Sequence, residues 1–240
     1  MRIFVLSLFL TLWSISVSAQ WETSRRAAIL ASSGSGASGA QIRMEFNGNL
    51  TDAGGNTATK PEGSATPDYE ASLNGQAMTC SGDDAVELID TDMQTLSWSA
   101  SIVFRCTATG FQIGTELSRE DTTNHSTINV YTGGNIYMTV DDTNKQTSTN
   151  VTNGDWYHAI ATYDHTTGAY ALYLDGSLTP ITSGTAATNS STGNGKVYIG
   201  GRPDNSSEYL TGAIDMVAWW DRALTTQEIT DEFAAYNRTN

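Results

Sequence analysis

A chain of 240 residues with 39% apolar residues, 22 glycines and a charged fraction of 16% can fill one core, and it is too apolar and too weakly charged for a disordered polymer. Its formal net charge is -14, so its surface repels phosphate backbones and anionic lipid, which excludes nucleic acid and membrane surfaces as expected partners. The acidic residues are dispersed in short turns such as Asp83-Asp84 and Asp141-Asp142, with no long acidic tail.

Residues 1–19 carry Arg2, an apolar run over 3–13, and the ending Ser16-Val17-Ser18-Ala19. This pattern predicts a secretory signal peptide cleaved before Gln20, because the run is too short to span a bilayer. A secreted, extracellular protein without membrane insertion is expected. Residues 20–40 form a short mixed segment followed by a Gly/Ser/Ala linker. The G-x-G-x-x-G at Gly34, Gly36 and Gly39 follows no strand and is a coincidence of composition. The folded domain is expected over 41–240.

From Gln41 onward, apolar runs of four to eight residues alternate with turn clusters such as Asn74-Gly75, Gly133-Gly134, Asn153-Gly154-Asp155 and Asp175-Gly176. Strands are predicted over 44–46, 85–88, 98–106, 126–131, 136–140, 157–163, 170–174, 196–200 and 213–220. Between Trp98 and Cys106 the larger apolar side chains fall on even positions, which places Cys106 on a buried face. Cys80 shares its parity with Met78. In an oxidising compartment these two cysteines either bridge adjacent strands or remain buried and reduced. Near the C-terminus, Leu224, Ile229 and Phe233 suit one helix face, and Thr225 with Glu228 forms a capping-box pattern. The fold class is therefore all-β, two antiparallel sheets packed as a sandwich with one short C-terminal helix.

In order and spacing, several segments resemble the laminin-G-like jelly-roll domains of the concanavalin-A-like lectin/glucanase superfamily. They are Phe46-Asn47-Gly48-Asn49-Leu50-Thr51-Asp52, Gly154-Asp155-Trp156-Tyr157-His158, Leu172-Tyr173-Leu174-Asp175-Gly176, Gly212-Ala213-Ile214-Asp215 and Arg222-Ala223-Leu224-Thr225. The resemblance implies a jelly roll and a calcium site using Asp52, Asn56 and Asp215, with a backbone oxygen from Gly54. Hard oxygen donors in a glycine-rich loop suit calcium, although no loop has the EF-hand spacing. Glucanases of this superfamily need carboxylates on alternate positions of one strand, roughly Glu-x-Asp-x-x-Glu. No such run exists, since Glu87-Leu88-Ile89-Asp90-Thr91-Asp92 lacks the second Glu.

With His125, His158 and His165 unpaired in sequence and no Gly-x-Ser-x-Gly elbow, neither zinc nor serine chemistry is indicated, and no enzyme is expected. Ligand contacts are expected from edge loops and exposed aromatics: Tyr131, Tyr209, Trp220, and Arg202 with Asp204. Alternation turns Trp219 inward with Val217 and Trp220 outward, exposed unless the end helix covers it. The expected function is non-catalytic binding of carbohydrate or a glycoprotein, supported by calcium. The alternative is an adhesive or structural protein that packs on itself or on another surface protein, with the N-terminal segment as tether.

Overall fold

The computed structural model describes residues 39–51, 57–59, 68–72, 75–89, 96–108, 112–119, 126–130, 133–140, 143–152, 154–188, 193–201 and 208–236. The signal, the linker and the Asp52 turn lie outside these ranges. The strands are β1 (Ile42–Glu45), β2 (Asp68–Ser72), β3 (Gly75–Ser81), β4 (Val86–Ile89), β5 (Trp98–Cys106), β6 (Gln112–Arg119) and β7 (Ser126–Val130). They continue with β8 (Asn135–Val140), β9 (Thr143–Asn150), β10 (Trp156–Tyr163), β11 (Ala169–Leu174), β12 (Thr182–Thr185), β13 (Gly193–Ile199) and β14 (Thr211–Trp220). One helix follows, α1 (Thr226–Ala235).

An eight-stranded sheet runs β12-β11-β10-β5-β14-β3-β2, with β1 also paired to β14, and a six-stranded sheet runs β4-β13-β6-β7-β8-β9. Every strand pairing is antiparallel. The alternation read between Trp98 and Cys106 holds: Trp98, Ala100, Ile102, Phe104 and Cys106 all enter the core between the sheets. There Trp98 packs on Trp219 at 5.3 Å between ring centroids. A hydrogen bond donated by Trp219 Nε1 to Thr115 Oγ1, 2.9 Å long, ties the two sheets through the core and satisfies an indole that burial would otherwise penalise.

The other face of the eight-stranded sheet is covered by α1. Thr225 caps the helix, and its reciprocal bonds with Glu228 form the capping box expected from sequence. Ile229 and Phe233 then pack on Val103, Ile160, Met216, Ala218 and Trp220, a second apolar cluster outside the main core. Arg43 of β1 lies 5.7 Å from the Trp220 ring centroid and donates to Glu232 of α1 at 2.6 Å. Tyr236 donates to Glu45. The first strand and the last helix are thereby clasped on one side of the sheet.

Candidate binding face on the six-stranded sheet

Alternation in the six-stranded sheet sends Val86, Leu88, Ile128, Val130, Met138 and Val197 into the core, and it turns the residues between them to the opposite face. Register aligns those outward residues in one row. Glu87 lies opposite Tyr198, and Tyr198 opposite position 116. Position 116 lies opposite Thr127, Thr127 opposite Thr139, and Thr139 opposite Asn144. Five inter-strand steps make the row about 24 Å long. Beside it, Asn129 lies opposite Tyr137.

The middle of this face is polar yet shielded from water. Thr127 is 2% exposed, Asn129 3%, Tyr137 0% and Thr139 5%. At one end Glu87, Lys196 and Tyr198 are half-buried, and at the other Asn144 is exposed. Asn129 Nδ2 donates to Thr127 Oγ1 and, at 3.3 Å, to the Tyr137 hydroxyl. Its Oδ1 is buried and accepts from no protein group. A buried amide oxygen left unpaired costs about 1–3 kcal/mol. Thr139 Oγ1 donates to Asn144 Oδ1 at 3.0 Å. Lys196 is paired with Glu87 at 3.3 Å. Hydroxyls, an amide and a tyrosine edge can bind a ligand rich in hydroxyl groups.

A serine and a histidine do meet elsewhere: Ser101 Oγ and His158 Nε2 lie 2.8 Å apart. The pair is structural. Both residues are buried beneath α1, where Phe233 packs edge-on against the imidazole at 4.7 Å. Asp175 accepts from the His158 backbone N–H.

Several expected ligand residues are placed differently from the sequence reading. Trp220 faces away from the inter-sheet core as alternation requires, but it is 0% exposed because α1 and Arg43 cover it. Tyr209 is 8% exposed, and its ring lies against Gly201 so closely that a Cβ there would sit 2.2 Å from it. Neither ring is offered to a ligand. Tyr131, Arg202 and Asp204 lie outside the described residues. The residues missed were Thr127, Asn129, Tyr137, Thr139 and Tyr198, and the available signal was the polar or aromatic residue at alternate positions of 126–130 and 136–140.

Of the two arrangements open from sequence, the structure holds Cys80 and Cys106 buried and unbridged. Each lies opposite Gly212, on either side of β14. Two strand spacings are about 9.6 Å, beyond the roughly 7 Å between Cα atoms that a disulfide tolerates. Burial pushes the Cys80 thiol above its usual range, reinforced by Asp84, Glu70 and Cys106.

Of the proposed calcium ligands, Asp52, Gly54 and Asn56 fall outside the described residues. Asp215 occupies the irregularity where β14 shifts register between Ile214 and Met216, and it is 3% exposed. Its Oδ1 accepts from Ser72 Oγ at 3.0 Å, and its backbone oxygen accepts from Phe46 N. A hard carboxylate there has the donor chemistry calcium takes, although no group of three or more His, Cys, Asp or Glu residues gathers among the described residues. No helix among them is long and apolar enough to cross a membrane.

Comparison with known proteins agrees with this architecture. Domain 4 of AbnA, a GH43 extracellular arabinanase from Geobacillus stearothermophilus solved with arabinotriose, superposes with a TM-score of 0.64 at 19% identity, covering 80% of this chain and 97% of that one. The binding domain of botulinum neurotoxin DC, solved with SialylT, gives 0.60 at 13% identity over 85% of this chain and 53% of its own. At such identities the likeness is one of fold. The Rattus norvegicus sushi, von Willebrand factor type A, EGF and pentraxin domain-containing protein 1 is 29% identical over 85 residues, 33% of this chain. The chain spans only 2% of that relative's length. Residues 80–230 match the Laminin_G_3 family, so the two-sheet jelly roll built here belongs to that branch of the concanavalin A-like lectin/glucanases superfamily.

Proposed function

We propose that this chain is a secreted, non-catalytic carbohydrate-binding protein, and that it binds through the outer face of its six-stranded sheet. The observation that carries the reading is the outward row of hydroxyl, amide and tyrosine groups, which is accessible at its ends, at Glu87, Tyr198 and Asn144, and covered in its middle from Thr127 to Thr139. Two proteins of similar fold support it by the ligands they were solved with, arabinotriose and SialylT. Calcium enters the proposal at Asp215 and the Asp52 turn, as a support of the fold.

A glycan array probed with the full chain tests the reading, with Tyr198→Ala as the variant. Binding to at least one carbohydrate class, weakened tenfold or more by Tyr198→Ala, is the expected result. An array blank in every class, together with a large assembly on size exclusion, would turn the reading towards adhesion. Release of reducing sugar from a bound polysaccharide would overturn the non-catalytic part.

A further inference from the structure

Beyond the six-stranded face, we infer that the eight-stranded sheet carries a second carbohydrate contact, in which Arg105, Glu70 and Trp156 take two neighbouring hydroxyls of one sugar. Helix α1 covers the outer face of that sheet as far as Val103 of β5 and His158 of β10. The next outward positions are Arg105 and Trp156, which lie opposite each other. Register continues their row through Ala213 and Thr79 to Asp68, about 19 Å across five strands. This row is open to solvent. Arg105 and Glu70 keep 32% and 31% of their side-chain surface exposed, Trp156 and Thr79 are half-buried, and Asp68 is exposed. On the other flank of Trp156, the register of β11 with β10 stops at Ala159.

Arg105 and Glu70 belong to strands separated by β14 and β3. Their side chains meet above Ala213 and Ala77, whose methyl groups leave room for them. The bond runs from Arg105 Nη2 to Glu70 Oε1 at 2.5 Å, and the guanidinium carbon stands 5.6 Å from the Trp156 ring centroid. Among the described residues this is the one side-chain hydrogen bond of either group, so Nη1 and Oε2 keep their capacity. A vicinal diol fits that pair: one hydroxyl accepts from Nη1, the next donates to Oε2, and the C–H face of the sugar packs on the exposed part of the indole. As a purely structural device the pair would achieve little, because exposed ion pairs stabilise weakly and Arg105 Nε is buried here without an acceptor.

Affinity electrophoresis of the full chain through gels holding arabinan, xylan or β-glucan tests the inference, with Glu70→Ala and Arg105→Met at this face and Tyr198→Ala at the other. Retardation of the parent by at least one polymer, weakened about tenfold or more by Glu70→Ala and by Arg105→Met, is the expected result. Both variants should melt within about 4 °C of the parent, since the pair is partly solvated, so lost retardation reports contact rather than unfolding. Should Arg105→Met melt lower, Glu70→Ala alone decides. Parent-like retardation of Glu70→Ala would overturn the inference, and with Tyr198→Ala weakened in the same gels the six-stranded face would stand alone. Weakening by Glu70→Ala with none by Tyr198→Ala would keep this contact and remove the other. No retardation of the parent in any gel would sink this contact and leave the glycan array to decide the six-stranded face.

Discussion

Gly212 shows what one missing side chain does for this sheet. Its φ of +153° is one that L side chains rarely adopt, and a Cβ at this position would lie 1.9 Å from the Arg105 backbone oxygen. Backbone cannot swing aside as a side-chain tip can. Gly212→Ala therefore combines strain with overpacking and should cost at least about 3 kcal/mol in urea denaturation. The same glycine separates the thiols of Cys80 and Cys106. With Cys80 buried and its thiol held protonated, neither cysteine should react with Ellman's reagent in the native protein, and two per chain should react once it is unfolded without reductant. A count of zero in the unfolded chain would mean that they are bridged and that β3, β5 and β14 are arranged differently. Parity along each strand revealed the inward direction of both cysteines. It could not reveal that a third strand, distant in sequence, runs between them.

The helix was readable at the level of an element because its signals are local. Thr225 and Glu228 are three residues apart, and the cap they form is the one the sequence pattern describes. Glu228 is also held by Arg222, through bonds of 2.9 and 2.6 Å, which lowers its carboxyl pKa from 4.5 to about 2. A carboxylate with a depressed folded pKa stabilises fully above pH 4.5, and its contribution fades as pH falls towards 2. Glu228→Gln should thus cost about 0.5–1 kcal/mol at neutral pH, a modest value because the group is largely solvated, and thermal melts of variant and parent should converge near pH 2. Phe233→Ala should cost more, about 3 kcal/mol, by opening a cavity over His158 and Trp220. The covering of Trp220 was the less legible part. Alternation gives a side chain's direction, whereas its exposure depends on an element that returns to the sheet from further along the chain. The strands missed in sequence, β2, β3, β6, β9 and β12, have few large apolar residues; β9 reads Thr-Asn-Lys-Gln-Thr-Ser-Thr-Asn and lies at a sheet edge, where burial imposes little pattern.

For the whole molecule, the sandwich was legible because turn clusters and alternation recur along the domain, while the binding face depends on which strands become neighbours. Glu87, Tyr198, Thr127, Thr139 and Asn144 are scattered from 87 to 198 and form a row only through strand order. The calcium proposal concerns the eight-stranded sheet, to which Asp215 belongs. It lies where β14 accepts the Phe46 N–H, beside the end of β1, from which the chain enters the segment carrying Asp52, Gly54 and Asn56. An ion held there would join β1 to the central strand of the eight-stranded sheet. It would stabilise the folded state by an amount that grows with calcium concentration over its dissociation constant, reaching about 2.7 kcal/mol at a hundredfold excess. Melting in millimolar calcium should then be several degrees higher than in chelator, and Asp215→Asn should abolish the difference. A melting temperature indifferent to calcium would remove the ion from the fold.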